Sequence, residues 1–167
     1  MATPGFGQIP VTNSNANLEQ KLRLEQALKG SASWFILVGV LSLVNSVLAM
    51  AGAKIQFIFG LGITQVVDAI SHQAGSAGQV LDLVINGMIA GVFALFWHFA
   101  RTGAKWAWIT GMALYLLDGL ILLPFGDYLG LAFHAYVLYR LYSGFKLLPE
   151  YQRVSQPAMT GTISASQ

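Results

Sequence analysis

The stretch that decides the fold is residues 106–147, WAWITGMALYLLDGLILLPFGDYLGLAFHAYVLYRLYSGFKL. It consists of two long apolar runs joined by the turn Pro124–Asp127 (PFGD). Each run approaches or reaches the roughly 20 apolar residues that cross a bilayer as a helix. Proline and glycine within the connection are typical of a chain reversal. The stretch therefore predicts an antiparallel hairpin of two helices inside a membrane.

Two ionisable residues lie inside this hairpin, Asp118 on the first run and His134 on the second. Each is eight residues from Gly126, so antiparallel helices would place the two side chains at the same depth. Ionisable side chains are costly in hydrocarbon and usually face protein or one another. We therefore expect the two side chains to come within hydrogen-bond reach, directly or through one water.

The composition of the whole chain indicates a membrane protein. Of its 167 residues, 55% are hydrophobic and 10% are charged, whereas soluble domains are about 25% charged. The net charge is +2, and the basic residues lie beside apolar segments rather than in one patch. This placement is typical of membrane orientation and argues against nucleic-acid binding.

The sequence shows no motif of a known catalytic or cofactor site. It contains no cysteine, which excludes a disulfide framework and a thiolate metal site. It also lacks the nucleophile elbow, the HExxH motif, a phosphate loop and a dinucleotide fingerprint. We therefore expect a protein that is not an enzyme and that carries no cofactor or metal.

The predicted fold is all-α, a transmembrane four-helix bundle with two additional amphipathic helices. One amphipathic helix lies at the N-terminal side, and the other is an outer helix that is either interfacial or re-entrant. The predicted segments, in chain order, are a disordered tail 1–17, a surface helix 18–29, a span 31–53, the outer helix 55–70, spans 80–101, 106–123 and 128–147, and a disordered tail 148–167.

The distribution of charge favours four spans over five. With four spans and a cytoplasmic N-terminus, every lysine and arginine except Lys54 lies on the cytoplasmic side. If the segment 55–70 also crossed, Arg101 and all later basic residues would lie outside. The four tryptophans fall near the same interface, where indole rings anchor. We therefore predict an inner (plasma) membrane protein with both termini in the cytoplasm.

Small residues and polar residues recur at helical spacing within the predicted spans. Lipid-buried helices associate closely where small side chains face each other. The candidate packing residues are Gly87, Gly91, Ala107, Gly111, Gly126 and Gly130. His98 shares the face of the first two, and we expect it to be hydrogen-bonded there.

Each predicted span contributes one polar residue to a layer in the outer half of the membrane. The layer comprises Asn45, Asn86, Asp118 and His134, with Asp82 and Asp127 nearer the outer surface. Buried polar residues often serve to hold helices together. Alternatively, aspartate and histidine relay protons or bind cations, and the two outer aspartates would form an acidic entrance. The residues alone leave both interpretations open.

Four segments carry a resemblance to a known group of proteins: FGLGITQVVDAI (59–70), LFWHFAR (95–101), ALYLLDGL (113–120) and GDYLGLAFHAY (126–136). Over roughly residues 37–147 the chain resembles an uncharacterised family of small bacterial four-span integral membrane proteins. The resemblance implies a bacterial inner-membrane location and implies no activity.

Two functions are consistent with these features. The first is a non-enzymatic structural or accessory subunit, which would form a homo-oligomer or join a larger complex within the lipid bilayer. The alternative is a small proton- or cation-coupled carrier or channel that uses the buried layer of Asp, His and Asn residues.

Overall fold

A computed structural model describes residues 11–51 and 75–155, and all regular structure within them is helical. The predicted all-α bundle is therefore confirmed for these residues, while the outer helix predicted at 55–70 lies outside them. The described elements are α1 (Val11–Met50), α2 (Gly75–Arg101), α3 (Lys105–Ile121), a short 3-10 turn (Leu123–Phe125) and α4 (Tyr128–Ser155).

The four helices form a ring in which α1 packs against α2 and α4, and α3 packs against the same two helices. Gln20 of α1 donates a hydrogen bond to Glu150 near the end of α4, at 2.9 Å. Gln152 of α4 donates to the carbonyl of Gly103, between α2 and α3, at 3.1 Å. The beginning of α1, the end of α4 and the α2–α3 connection therefore meet at one end of the bundle.

Helix α1 corrects the predicted boundaries at the N-terminal side. It runs without a break from Val11 to Met50, so it joins the predicted surface helix to the first span and includes residues 11–17 of the predicted tail. A single glycine such as Gly30 costs a helix only about 1 kcal/mol. Leu28 and Ala32, which flank it, are both fully buried in the core. Packing on both sides therefore outweighs the weak local signal for a break.

Helix α4 also extends further than predicted, through Pro149 to Ser155. The extension is held by contacts with the connection between α2 and α3. Besides the bond from Gln152, the ring of Tyr151 lies against Gly103, whose φ of +83° turns the chain there. Residues 148–155 are thus helical rather than part of a tail.

Aromatic side chains fill the centre of the bundle around Phe35. Its ring lies 6.3 Å from Phe93, 6.0 Å from Phe96 and 6.0 Å from Trp108, measured between centroids. The Trp108 indole donates its hydrogen to the carbonyl of Ala100 at 3.1 Å. The core is therefore formed by side chains from α1, α2 and α3 at one level, with α4 closing the fourth side.

The outer surface of the bundle is apolar on every helix. Large side chains such as Val40, Leu95, Leu117 and Leu129 are 47–58% exposed. Two helical segments, Asn15–Leu48 and Leu83–Arg101, are long and apolar enough to cross a membrane. Only 33% and 28% of their most apolar windows are buried within the protein. Soluble proteins rarely leave such continuous apolar surface exposed.

Candidate functional site

Asp118 and His134 meet directly between α3 and α4. The distance from Asp118 Oδ2 to His134 Nε2 is 2.8 Å, and the two residues are 6% and 1% exposed. The hydrogen bond expected from their equal distance to Gly126 is therefore confirmed. The turn makes this possible, because Gly126 adopts a φ of +67° and sets the two helices antiparallel with matching depth.

The second ring nitrogen of His134 is also engaged. Nδ1 lies 2.9 Å from the carbonyl oxygen of Gly130, one turn earlier on the same helix. A carbonyl oxygen can only accept, so Nδ1 must carry the hydrogen and donate it. The orientation of the imidazole is thus set by its own helix on one side and by α3 on the other.

Helix α3 forms a slot for this imidazole. The Tyr115 ring stacks on the His134 ring, with centroids 4.5 Å apart and planes 13° from parallel. A Cβ at Gly119 would lie 3.1–3.2 Å from His134 atoms, so the absence of a side chain there makes room for it. Within the described residues, the buried Tyr115 hydroxyl has no hydrogen-bond partner. Tyr115 and Gly119 are four residues apart, so they lie on one face of α3, and Asp118 is three residues after Tyr115; this spacing is the signal that could have identified them.

Asp118 also borders a groove between α2 and α3. The groove has a volume of about 280 Å³ and opens at the outer surface of the bundle. Its other lining residues are apolar, namely Ile89, Val92, Phe93, Leu114, Leu117 and Ile121. Among the described residues that line this groove, Asp118 is thus the one that is ionisable.

The remaining members of the predicted polar layer are buried as expected, and they form a second connection. Asn86 Nδ2 donates to Ser46 Oγ at 2.6 Å, which joins α2 to α1. Asn45 directly precedes Ser46 in the chain and is also buried, at 9% exposure. Ser46 was not among the predicted site residues, although it is one of the few polar residues in the first apolar stretch.

Asp127, which was predicted to line an acidic entrance, caps helix α4 and is half-exposed. Its Oδ1 accepts the backbone hydrogen of Gly130 at 2.9 Å, which is the usual bond of a residue that caps a helix N-terminus. The backbone of Asp82 belongs to α2, but its side chain lies outside the described part. Residues 11–51 and 75–155 contain no group of three or more His, Cys, Asp or Glu that could hold a metal ion.

Three of the predicted packing residues do lie at close helix contacts. Ala107 is fully buried, and a Cβ at Gly111 would lie 2.7 Å from the Phe35 ring. Gly130 is buried, and a Cβ there would meet the Asp127 side chain and would lie 3.0 Å from Leu122.

Within the described residues, Gly87 and Gly91 of α2 are not at a close helix contact, and Gly126 has a different role. No described atom lies within 4 Å of a Cβ built at Gly87, Gly91 or Gly126. Gly126 belongs to the turn instead. Helix α2 directs Asn86, Ala90 and Phe93 inward, so Gly87 and Gly91 are on its outer side.

His98 shares the outer side of α2, so it does not lie in a packing face formed by the described residues. It is exposed, and its ring meets the edge of Phe99 at 5.4 Å. Close contacts are made instead by two glycines that were not predicted. A Cβ at Gly39 of α1 would lie 3.3 Å from the Ala90 carbonyl oxygen, and a Cβ at Gly144 of α4 would meet the Ser31 side chain.

Comparison with known protein families, characterised proteins and solved structures finds no significant match to this chain. Membership of a bacterial four-span family therefore stays a prediction. Function is inferred from the contacts of the described residues themselves.

Proposed function

We propose that the chain is an integral membrane protein in which all four helices span the bilayer, with both termini in the cytoplasm of a bacterial cell. Two features support this arrangement: consecutive helices run in opposite directions, and the outer surface of the bundle is apolar. Seven of the described basic residues lie in the half of the bundle that contains the start of α1 and the end of α4, namely Lys21, Arg23, Lys29, Arg101, Lys105, Lys146 and Arg153, and Arg140 lies near the middle of α4. Such an excess marks the cytoplasmic side.

The helix lengths are consistent with this placement. Helix α3 has 17 residues and is about 26 Å long at 1.5 Å per residue, close to the roughly 30 Å hydrocarbon thickness. Helix α1 has 40 residues and is about 60 Å long. Its charged first half would therefore extend beyond the membrane on the cytoplasmic side.

The role that we propose is a non-enzymatic structural or accessory subunit that associates with a second copy or with a larger membrane complex. The observation that carries it is the outer side of α2, where Gly87 and Gly91 have no described neighbour. Glycines at i and i+4 in a lipid-facing helix allow another helix to approach closely.

Labelling of single cysteines tests the membrane placement, because the natural chain contains no cysteine. Tyr128→Cys and Arg153→Cys are at opposite ends of α4 and both replace exposed residues. A membrane-impermeant maleimide applied to intact cells with a permeable outer membrane should label the first and not the second. The cysteine-free chain is the control for background. The reverse pattern would overturn the orientation, and equal labelling of both would overturn the spanning arrangement.

Cross-linking in native membranes tests the proposed association. Gly91→Cys should form disulfide-linked dimers or cross-links to a partner on mild oxidation. Leu120→Cys is the matched control, because this residue is also exposed but lies on α3. Absence of any cross-link from Gly91→Cys, together with a monomeric mass in mild detergent, would contradict the accessory role.

A second candidate function is a small proton- or cation-coupled carrier or channel that uses the layer of Asn45, Asn86, Asp118 and His134. The direct bond between a buried acid and a buried base favours it. Proton flux into liposomes containing the purified protein, followed with a pH-sensitive dye, is the test. Flux should exceed that of empty liposomes and disappear in Asp118→Asn. Equal flux in all three samples would reject proton transport.

A further inference from the structure

The two contacts of His134 restrict where protons can be placed. Because the Gly130 carbonyl only accepts, Nδ1 carries a hydrogen. A neutral imidazole has one N–H, so Nε2 would then be an acceptor with its lone pair directed at Asp118. An ionised carboxylate is also only an acceptor. Two acceptors do not form a bond at the observed 2.8 Å, so one additional proton must lie between Nε2 and Oδ2.

We propose that Asp118 and His134 form a binding site for one proton, and that this proton makes the contact between α3 and α4. The proton resides either on the carboxyl group, beside a neutral imidazole, or on Nε2, beside a carboxylate. The two forms contain the same atoms and both have a net charge of zero. The pair therefore holds the proton as a unit, and the number of bound protons is the same whether the carboxyl group or Nε2 carries it.

Loss of the proton leaves a carboxylate and a neutral imidazole, with a net charge of −1 in a buried site. If the remaining hydrogen stays on Nδ1, then Nε2 and Asp118 Oδ2 are opposing acceptors. If it moves to Nε2, then Nδ1 and the Gly130 carbonyl are opposing acceptors. Either arrangement replaces one hydrogen bond by a repulsive contact, which is costly away from water. Proton release therefore loosens the hairpin.

The described side chains around the pair are polar or acidic rather than basic. No lysine or arginine is among the buried residues of the described chain. Helix α3 contributes Tyr115, which stacks on His134. The turn that precedes α4 contributes Asp127, which accepts a hydrogen bond from the Gly130 backbone. The buried polar side chains of α1 and α2 are uncharged: Ser42, Asn45, Ser46 and Asn86. The Asp82 side chain lies outside the described part.

This inference deepens the second candidate function by naming its ligand. Only the movement of the proton across a membrane rests on that candidate function; the binding of the proton does not. A pair that binds a proton without transporting it would still control the packing of α3 against α4. The experiments for site and transport therefore have separate readouts.

Nitrogen NMR of the full-length protein, labelled with ¹⁵N-histidine in detergent, tests the site. The His134 signals are assigned by their loss in His134→Gln, and the exposed His98 is an internal reference. In the wild type, Nδ1 of His134 should carry a hydrogen, and its ring signals should shift once as the pH is raised. In Asp118→Asn the amide can donate a hydrogen bond to Nε2 without an additional proton, so this shift should disappear.

Thermal unfolding in the same detergent provides the second measurement. Raising the pH through the His134 transition should lower the unfolding midpoint of the wild type by about 3–10 °C, which corresponds to the loss of one strong hydrogen bond. The midpoint of Asp118→Asn should stay constant over that range, and His98→Gln should behave as the wild type does.

The inference is overturned if Nδ1 of His134 lacks a hydrogen in the folded protein, or if Asp118→Asn shows the wild-type transition. If Asp118→Asn does not fold, the wild-type His134 signals decide alone, and their failure to respond to pH overturns the inference. A pH response of His134 without proton flux into liposomes rejects the carrier and leaves the proton site intact.

Discussion

Replacement of Gly111 by alanine would test the packing at the centre of the bundle. The new Cβ would lie 2.7 Å from Cε1 and Cζ of Phe35 and 3.2 Å from Cγ of Phe96. Carbon atoms pack best at about 3.5–4.0 Å, so the Phe35 ring or helix α3 must move by about 1 Å. Phe35 is 1% exposed and has aromatic neighbours on several sides, so its ring has no free space to enter.

The expected loss of stability follows from two opposing effects. Forcing an additional carbon into a packed core costs about 1–3 kcal/mol. Alanine in place of glycine favours a helix by up to about 1 kcal/mol. The net loss relative to the wild type should be about 0–2 kcal/mol, which corresponds to a decrease of up to about 8 °C in the unfolding midpoint for a chain of this size.

The assay is thermal unfolding in mild detergent, followed by the near-UV circular dichroism of the buried aromatic residues. Gly30→Ala is the matched control, because Gly30 is exposed and a Cβ there meets no described atom within 4 Å. The control should be as stable as the wild type or slightly more stable. If Gly111→Ala is also as stable as the control, then α3 does not approach Phe35 as closely as the structure shows.

Three further predictions concern the hairpin of α3 and α4. Asp118→Ala and His134→Ala should each destabilise the protein, and the double variant should lose less than their sum, with a coupling of about 0.5–3 kcal/mol; strictly additive losses would mean that the two side chains do not meet. Gly119→Ala should displace the His134 ring and change its ¹⁵N signals, whereas unchanged signals would contradict the slot. Asp127→Ala should cost about 0.5–2 kcal/mol through loss of the helix cap. Asp127→Asn should retain most of that stability, and equal losses in the two variants would count against capping.

The sequence alone was sufficient to predict the helical hairpin and the contact at its centre. Both depend on local properties of the chain. Continuous apolar runs form helices in a nonpolar environment because the backbone must satisfy its own hydrogen bonds. The contact between Asp118 and His134 spans 16 residues, and a tight turn midway between them leaves little freedom in their relative depth.

The rotation of each helix about its axis could not be predicted in the same way. Helix α2 is apolar on nearly all sides, so its sequence does not indicate which side faces the other helices. The outward position of Gly87 and Gly91 is set by which side chains fill the core, Phe93 and Phe96 above all. The bond from Asn86 to Ser46 joins residues 40 positions apart and likewise depends on this packing.

The protonation of the central pair also depended on the tertiary structure. The sequence identified an acid and an imidazole that face each other, and this left their protons unassigned. The structure adds the orientation of the His134 ring, because Gly130 binds Nδ1 and Tyr115 stacks on the ring. The orientation of the His134 ring is set by contacts on both of its sides, and these contacts arise only when α3 and α4 pack together.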